Sequence, residues 1–437
     1  MNKLLFHSAV FSSFIFNFNS GHGQTVITKW QDGKTGAVSL TYDDGSINQF
    51  KYALPVMKRL KMPATFFIIT GPIPGSKYPG RFIGRPVQQI IDETATVPTN
   101  ADNYFERASA AKYLGVVGAF AYYDHSANLY EDGKEDRAYK VMDTLYSKVR
   151  DGSFPKGLEL SMEVAGEKGL TWDSIKRYTA QGYEFSSHTI THAHMAVLDT
   201  TNMFYELEKS KQDIKDHLGD KYTFDAEIPF GIEHARAMKY ALPFYAALRN
   251  LMTDPYMQEI NRGYRTQPGS AGKEYVQWQR GATTKTPLPM MQSWVDTTLA
   301  HDNIWLVLVF HGVDGLGYEA LPHQLLDTYF QYIKKHEDNL WVANFGDVAK
   351  YMRERMHASV TSDTTHNPII VHLQHSLDKN VYDIPLTLKT YVPNNWKNAE
   401  VRQDNHKHKF KVEADAEGNY ILYRADPNKG TIEIIPR

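Results

Sequence analysis

The chain has 437 residues, of which 42% are hydrophobic and 13% aromatic, so it can bury a large core and has room for two domains. Its formal net charge is -2, and its lysines and arginines are scattered singly, without the basic stripe that a phosphate backbone requires. We therefore expect no nucleic-acid partner. The sequence contains no cysteine, so no disulfide contributes to the fold.

The first 23 residues have the pattern of a secretory signal peptide. Lys3 precedes an apolar run from Leu4 to Phe18, and small residues flank His22 just before Gln24. This pattern predicts cleavage before Gln24 and a secreted or periplasmic protein. The run is short for a transmembrane helix, so a membrane anchor is the weaker alternative, and we expect no membrane span in the mature chain.

The first strand predicted in the mature chain ends in two carboxylates. Residues 36–42 form an apolar run of β type, directly followed by Asp43, Asp44 and a glycine. A helix over 48–60 and a strand over 64–69 follow, an order typical of a parallel sheet with helical connections. Adjacent carboxylates at a strand end are costly unless a cation or a proton offsets them. An ordinary Asp-Gly turn is the alternative.

Residues 72–170 interrupt this pattern with a predicted, mostly helical insertion. Proline and glycine punctuate its first part, and the segments 108–123 and 137–150 then show helical spacing with mixed charge. We expect the insertion to lie beside the strand ends. There it either walls a substrate groove or only packs on the sheet.

Two histidines follow the next predicted strand. A helix over 171–181 leads to a short strand and then to His188 and His192. On a helical turn, positions i and i+4 share one face, so both rings could bind one divalent ion. Two ligands do not hold a metal, and we expect the third from Asp43 or Asp44. A chance pair of histidines is the alternative.

Two later strands end in residues that could reach the same site. A predicted strand over 245–250 carries Arg249, and the almost uninterrupted apolar run 304–310 ends at His311. Such a run is typical of a strand buried on both faces. The carboxyl ends of neighbouring barrel strands converge on one cavity. Further helices and strands up to about residue 355 are expected to close the barrel.

A small all-β domain resembling a sandwich is predicted for residues 366–437. Runs such as 369–373 and 386–392 are typical of short strands. Four aromatic residues there could stack on sugar rings, although aromatics in small β domains usually form the core; they are Tyr391, Trp396, Tyr420 and Tyr423.

Two of these segments together resemble motifs of a known family. Thr41–Gly45 is similar to the first motif of the polysaccharide deacetylases, also called the NodB-homology fold or carbohydrate esterase family four, and His188–His192 is similar to the second. The resemblance extends, with gaps, from about Thr25 to about Arg355. It implies an α/β fold, a distorted (β/α) barrel over residues 24–358, with the helical insertion and the small all-β domain added to it.

The resemblance also implies roles for individual residues. One divalent ion, most readily Zn²⁺, would be held by Asp44, His188 and His192, with Asp43 as general base and His311 as general acid. The backbone N–H of one matching residue, Phe230, would stabilise the oxyanion. The expected substrate contacts are Tyr42, Pro229, Phe230 and Gly231.

Two positions depart from the family's pattern. Glu227 stands where an arginine that orients the catalytic aspartate is expected, and Arg249 is our candidate to hold Asp43 instead. The alternative is that Arg249 pairs with a surface carboxylate. Asp254, near the expected fourth motif, is the candidate to raise the pKa of His311, although a proline follows it in place of the family's tryptophan.

The sequence thus predicts a secreted, metal-dependent deacetylase that hydrolyses N-acetyl or O-acetyl groups on a polysaccharide or oligosaccharide. The alternative is a catalytically impaired carbohydrate-binding protein on the same fold, motivated by Glu227 and by the weak fourth motif. Retention of both histidines, both aspartates and His311 favours the enzyme. No motif specifies the glycan, the type of acetyl bond or the oligomeric state.

Overall fold

The computed structural model describes residues 24–159, 161–166, 168–231, 233–251, 260–261 and 273–437. The predicted signal peptide, residues 1–23, lies outside the described residues. The chain divides into two units. An α/β unit contains residues 28–358 and 375–387, and an all-β unit combines the segment ending at Ile27 with residues 359–374 and 388–437.

The predicted strands of the barrel are present, and three strands that were not predicted join them, Asp225–Ala226, Ile260–Asn261 and Val276–Gly281. The strands are β1 (Thr25–Ile27), β2 (Gly36–Tyr42), β3 (Thr65–Ile68), β4 (Glu184–Ser187), β5 (Asp225–Ala226), β6 (Ala247–Leu248), β7 (Ile260–Asn261), β8 (Val276–Gly281), β9 (Ile304–Phe310), β10 (Leu340–Val342), β11 (Ser359–Asp363), β12 (Ile369–Gln374), β13 (Leu386–Tyr391), β14 (Asn398–Gln403), β15 (His406–Lys411), β16 (Glu413–Ala414), β17 (Asn419–Ala425) and β18 (Ile432–Pro436). The α-helices are α1 (Leu54–Leu60), α2 (Val87–Glu93), α3 (Tyr104–Ala111), α4 (Ala119–Glu131), α5 (Glu135–Arg150), α6 (Met162–Gly166), α7 (Trp172–Thr179), α8 (Thr200–Phe204), α9 (Ser210–Leu218), α10 (Ala235–Ala241), α11 (Leu288–Leu299), α12 (His323–Lys335) and α13 (Phe345–His357). In the part of the chain that the structure describes, no helix has the length and apolar character needed to cross a membrane.

The α/β unit is built around one curled parallel sheet. Its strand order is β6-β5-β4-β3-β2-β9-β8-β7, and β10 also pairs with β2. The central strands β2 and β9 are buried along almost their whole length, as the apolar run 304–310 predicts. The distorted (β/α) barrel expected from the sequence is therefore confirmed.

Strands that are distant in the sheet order approach each other at Arg249, which directly follows β6. Gln277 and Gln279 of β8 both donate a side-chain N–H to the backbone oxygen of Arg249, and the bond from Gln277 is 3.0 Å long. Strands β6 and β8 are not neighbours in the sheet. The contact therefore shows that the sheet curls until its far strands meet, as in a barrel.

Helices α2 to α6 form the expected helical insertion. Helices α2 to α5 pack around a shared apolar core, which includes Tyr104, Tyr123 and Met142. Arg107 is fully buried beside this core and donates to Glu93 Oε1 at 3.1 Å. The insertion is thus a packed helical element rather than a long loop.

The all-β unit contains two sheets, with strand orders β1-β13-β17-β16 and β11-β12-β18-β14-β15. Of the four aromatic residues considered for sugar stacking, Trp396 and Tyr423 are buried in the core and are therefore not available to a ligand. Tyr391 and Tyr420 are partly exposed, and the Lys389 ammonium lies 5.0 and 4.3 Å from their ring centroids.

Two expected domain boundaries differ from the observed division. Residues 24–27, which we expected in the barrel, pair with β13 in the all-β unit. Residues 375–387, which we expected in the small domain, belong to the α/β unit. Their anchor is Glu354 of α13, which accepts the backbone N–H of Ile384 at 2.9 Å and faces His375 Nε2 at 3.2 Å.

The first residues of two neighbouring strands form a buried carboxyl pair at the end of the sheet away from the predicted site. Glu184 begins β4 and Asp225 begins β5, and both side chains are buried. Burial, followed by the charge of Asp347, raises the pKa of Glu184 to about 7, although Thr65 Oγ1 donates to it at 2.6 Å. Burial and the charge of Glu184 raise the pKa of Asp225 well above its usual value. A protonated carboxyl is therefore favoured in the folded state.

Glu184→Gln is expected to stabilise the protein at pH 8 more than at pH 5. The folded pKa of about 7 lies above the unfolded value, so the stability that Glu184 contributes is complete below the unfolded pKa and is lost as the pH rises through the folded one. The neutral amide has no proton to lose, so its free energy of unfolding at pH 8 should exceed that of the wild type by roughly 1 to 3 kcal/mol. Urea denaturation at both pH values measures this difference, and Glu208→Gln on the surface is the control. An equal effect at the two pH values would contradict the assignment.

Candidate active site

The carboxyl ends of the central strands open into a cavity of about 450 Å³. It is lined by residues that follow β2, β4, β5, β6 and β9, by residues within β8 and β9, and by two residues of the insertion. The strand-derived residues are Asp43, Asp44, His188, His192, Glu227, Phe230, Gly231, Arg249, Gln279, Gly281, Val309, His311 and Tyr318, and the insertion contributes Asn128 and Glu163.

Asp44, His188 and His192 form a buried group that fits a divalent ion. Asp44 Oδ1 lies 3.5 Å from His188 Nε2 and 3.3 Å from His192 Nε2, and one ligand atom of each residue lies within 4.8 Å of the others. Neither carboxylate oxygen of Asp44 has a hydrogen-bond partner among the described residues. A buried carboxylate without a partner is costly unless a cation offsets it. One carboxylate and two imidazoles are a donor set that suits zinc.

The hydrogen bond of His188 and the pKa of His192 both suit metal binding. His188 Nδ1 donates to the backbone oxygen of Glu227 at 2.9 Å, which leaves the Nε2 lone pair directed toward Asp44. Burial, followed by the charge of His188, lowers the pKa of His192 well below its usual value. The ring of His192 is therefore neutral at neutral pH, the form that binds a metal.

The structure contradicts the predicted helical turn between His188 and His192. The segment is a turn in which Thr189 and His192 have left-handed φ values of 66° and 54°. Glu206 accepts the backbone N–H groups of residues 190–191 at 2.8 and 2.9 Å, and so supplies the hydrogen bonds that a helix would have made internally. The rings converge because this carboxylate holds the turn, not because of helical periodicity.

Arg249 lies inside the barrel between Asp43 and Glu227. Its Nη1 donates to Asp43 Oδ1 at 2.8 Å, its Nη2 donates to Asp43 Oδ2 at 2.5 Å, and its Nε donates to Glu227 Oε2 at 3.2 Å. Nη1 also donates to Thr41 Oγ1 at 2.7 Å. A two-point contact of this kind fixes the plane as well as the position of the carboxylate. The guanidinium therefore lies where the family's arginine was expected to act, but it comes from the next strand.

The arginine also decides the ionisation of Asp43. Burial by itself raises the pKa of Asp43, but the charges of Arg249, His311 and His188 outweigh burial, and the pKa is lowered overall. A carboxylate at Glu227 without a partner would raise this pKa by repulsion. Because Arg249 pairs with Glu227 as well as with Asp43, Asp43 is ionised at neutral pH.

His311 lies on the open side of Asp43. Its Nε2 is 3.4 Å from Asp43 Oδ2, its side chain is 25% exposed, and its ring meets Tyr318 edge-on at 5.2 Å. Asp254, the carboxylate that we expected beside His311, lies outside the described residues. Asp43 is the carboxylate that the structure places next to this histidine.

The sequence analysis did not identify Gln49, whose side chain links Asp43 to His311. Gln49 is fully buried, and its side-chain N–H groups donate to the backbone oxygens of Asp43 at 2.6 Å and of His311 at 2.8 Å. The sequence places Gln49 in a predicted helix, where nothing distinguishes it from a surface glutamine. Only the tertiary fold reveals that it joins the ends of β2 and β9.

The structure contradicts Tyr42 as a substrate contact. Side chains alternate along a strand, so Tyr42 faces away from the side that carries Thr41 and Asp43. Its ring is fully buried and packs 5.4 Å from Phe66 and 5.2 Å from Phe310, centroid to centroid. Tyr42 is therefore a core residue of the sheet.

The segment 229–231 reaches the cavity through two of its three residues. Pro229 is buried and is not among the described residues that line the cavity, so the expected contact from Pro229 is not observed. Phe230 and Gly231 do line it. Phe230 has a left-handed backbone with φ 63°, its side chain is 39% exposed, and its ring lies 4.7 Å from that of His192.

Comparison with known proteins agrees with these motifs. The sequence model of the family described as polysaccharide deacetylase matches residues 31–93 and 125–243, which include Asp43 and all three residues of the candidate metal site. Over these two segments the chain is similar to the polysaccharide deacetylase family.

Individual relatives are more distant. A gellan lyase from a Bacillus species is 24% identical over 275 residues, 59% of this chain, and the chain spans only 11% of the length of that relative. Among solved structures, a putative polysaccharide deacetylase from Mycobacterium smegmatis is 12% identical with a TM-score of 0.37, covering 76% of this chain and 94% of that one. The Xyl-CE4 domain of a multidomain xylanase from the hindgut metagenome of Trinervitermes trinervoides is also 12% identical, with a TM-score of 0.32, covering 71% of this chain and 88% of that one.

The geometry predicts one bound divalent ion per chain. Purified protein should bind one equivalent of zinc, measured by calorimetry and by elemental analysis, and His188→Ala or His192→Ala should weaken binding strongly because each removes one of three protein ligands. His366→Ala, which removes an exposed histidine, is the matched control and should bind zinc like the wild type. Full zinc occupancy in the double variant of His188 and His192 would refute the assignment.

Proposed function

We propose that this protein is an exported, metal-dependent deacetylase that hydrolyses N-acetyl or O-acetyl groups on a polysaccharide or oligosaccharide. The main support is that the buried group of Asp44, His188 and His192 shares one cavity with an ionised Asp43 and with His311. The match to the polysaccharide deacetylase family supports an acetylated carbohydrate as the substrate. The signal-like pattern of residues 1–23 supports export.

The metal is part of the proposal, and its ligands would be Asp44, His188 and His192. A bound zinc ion supplies a Lewis acid that polarises the acetyl carbonyl and favours deprotonation of water at neutral pH. The two imidazoles and one carboxylate support zinc over magnesium or calcium, which prefer oxygen ligands.

Asp43 serves as the general base that accepts a proton from the attacking water. Arg249 fixes both of its oxygens, and its lowered pKa keeps it ionised well into the acidic range. Asp44, the next residue in the chain, faces the two histidines instead. Adjacent carboxylates therefore have separate tasks because their surroundings differ.

His311 donates a proton to the leaving amine or alkoxide as its bond to the acetyl carbon breaks. The ring is partly exposed to the cavity and lies 3.4 Å from Asp43 Oδ2. The proton that Asp43 takes from water can return to His311 after acetate leaves, which restores both groups for another turnover. The backbone N–H of Phe230 is the proposed donor to the oxyanion formed in between.

The contact between Arg249 and Asp43 weakens the alternative of an inactive carbohydrate-binding protein. That alternative was motivated by Glu227, which stands where the family has an arginine. Arg249 supplies the missing cation from the end of β6, so the catalytic aspartate keeps a positively charged partner. Acetate release by the zinc-loaded protein separates the two candidates.

Acetate release should depend on Asp43 and on His311. Zinc-loaded protein is tested on a panel of acetylated chitin oligosaccharides, peptidoglycan fragments and acetylated xylan, with acetate measured enzymatically. Asp43→Asn and His311→Ala should each lower turnover by about 10² to 10⁴, the usual range for removal of a general base or acid, while zinc still binds. Asp225→Asn removes a buried carboxyl at the other end of the sheet and should leave turnover unchanged. Near-normal turnover in both site variants would show that the roles are wrong.

Arg249→Lys should move the acidic limb of the pH profile to higher pH. Lysine keeps the charge but cannot contact both oxygens of Asp43, so burial raises the pKa of Asp43 and the base form requires a higher pH. We also expect kcat/KM at neutral pH to fall by about tenfold or more, because the base loses its fixed orientation.

The matched control for Arg249→Lys is Arg107→Lys. Arg107 is also fully buried beside two carboxylates, Glu93 and Asp143, but it lies in the core of the insertion. This variant should lower the melting temperature without moving the pH profile. An unchanged acidic limb in Arg249→Lys would refute the role given to Arg249.

A further inference from the structure

His194 connects the insertion to the catalytic cavity without belonging to the catalytic group. Its ring is fully buried, with Nε2 3.0 Å from Asp124 Oδ1 and Nδ1 3.2 Å from Glu131 Oε1. Its backbone N–H donates to the hydroxyl of Tyr123 at 3.1 Å. All three partners lie on helix α4, so this helix fixes the imidazole from both edges.

One face of helix α4 is directed at the site. Asp124, Asn128 and Glu131 are spaced i, i+4 and i+7, which places them on the same side of a helix. Asn128 lines the catalytic cavity, and its side-chain amide donates to Asp124 Oδ2 at 3.1 Å. Asp124 falls between the two segments that match the family. Glu131, the carboxylate on Nδ1 of His194, lies inside the second of these segments.

The flat face of His194 supports Phe230. The two rings stack with centroids 3.6 Å apart and an angle of 8° between their planes. Phe230 has φ 63°, and a left-handed conformation is costly for a residue with a large side chain unless its surroundings hold it. The His194 imidazole, fixed at both nitrogens, is a flat buried surface against which the phenyl ring of Phe230 is held.

We propose that helix α4 sets the position of Phe230 through His194, which makes Asp124, Glu131 and His194 positioning residues for the oxyanion donor. This inference rests on the proposed function. Asp124 and Glu131 fix the imidazole, the imidazole fixes the phenyl ring, and the phenyl ring keeps the peptide N–H of Phe230 in its left-handed orientation. The insertion thereby acts on the chemical step rather than only on the outer wall of the cavity.

Removal of the ring tests the kinetic consequence. His194→Ala should lower kcat by about tenfold or more while KM changes less than about threefold, because a displaced oxyanion donor weakens the transition state and not the substrate complex. Zinc affinity should stay that of the wild type, since the three ligands remain. An unchanged kcat, or a loss of zinc binding that accounts for the whole effect, would overturn the proposal.

His217→Ala is the matched control. His217 stacks on Trp172 with centroids 4.1 Å apart at 6° and faces Asp213 at 3.5 Å, yet it is not among the described residues that line the cavity. This variant removes the same kind of stacked, carboxylate-paired histidine. It should leave both kcat and KM unchanged.

Two further variants separate the carboxylate contacts from the stacking. His194→Phe keeps an aromatic ring against Phe230 but loses both contacts to helix α4, and the double variant Asp124→Asn with Glu131→Gln keeps the imidazole but removes both charges. Each should lower kcat by less than His194→Ala does. Wild-type kcat in both would show that helix α4 has no part in positioning Phe230. These variants also decide the question if His194→Ala does not fold.

Crystal structures of the zinc-bound wild type, of His194→Phe and of the double variant provide a test that does not depend on activity. Catalytic groups must be held within about 0.5 Å, so the N atom of Phe230 should move by more than that. If the wild type releases no acetate from any glycan in the panel, the proposed function fails. The crystallographic comparison still decides whether His194 positions Phe230, because an unmoved Phe230 in both His194→Phe and the double variant would overturn that claim.

Discussion

The buried contact between Arg249 and Asp43 is the interaction on which the geometry of the site depends. The Arg249 side chain starts at the end of β6 and crosses the interior of the barrel. Its guanidinium donates to Thr41 and Asp43 at the end of β2, and its Nε donates to Glu227. Taking a guanidinium and two carboxylates out of water is costly, and that cost is offset only when each charge has close, well-aligned partners. The same arginine therefore links the end of β6 to the end of β2 across the curled sheet and orients the proposed base.

Charge balance explains why a metal site lies beside this ion pair. Asp43, Asp44 and Glu227 bring three formal negative charges to the cavity, and Arg249 returns one positive charge to the pair formed by Asp43 and Glu227. Asp44 faces two imidazoles instead, and neither of its oxygens has a hydrogen-bond partner among the described residues. A cation beside Asp44 would offset part of the negative charge that remains. The arginine thus assigns one aspartate to proton transfer and leaves the other for the metal.

The sequence predicts the parts of the site that depend on local adjacency. Asp43 and Asp44 directly follow an apolar strand, and His311 directly follows another, so strand ends alone place them together. The turn from His188 to His192 was not predictable in the same way, because Glu206 on a later helical segment supplies its hydrogen bonds. Period-two alternation, applied strictly, would have placed Tyr42 in the core. Contacts that join distant segments, such as those of Gln49 and His194, leave no local signal.

The insertion and the barrel contribute different properties to the cavity. The groups proposed for the chemistry all follow strands of the parallel sheet, which is rigid and buried. The insertion adds Asn128 and Glu163 to the cavity wall, and its Lys112 donates to the backbone oxygen of Thr191 at 2.8 Å, within the turn between the two metal-site histidines. Segments added to a barrel commonly carry recognition, but here the insertion also contacts the turn that holds the proposed ligands. A change in the packing of the insertion would therefore reach the site through Lys112 and His194, even though no ligand of the proposed metal belongs to it.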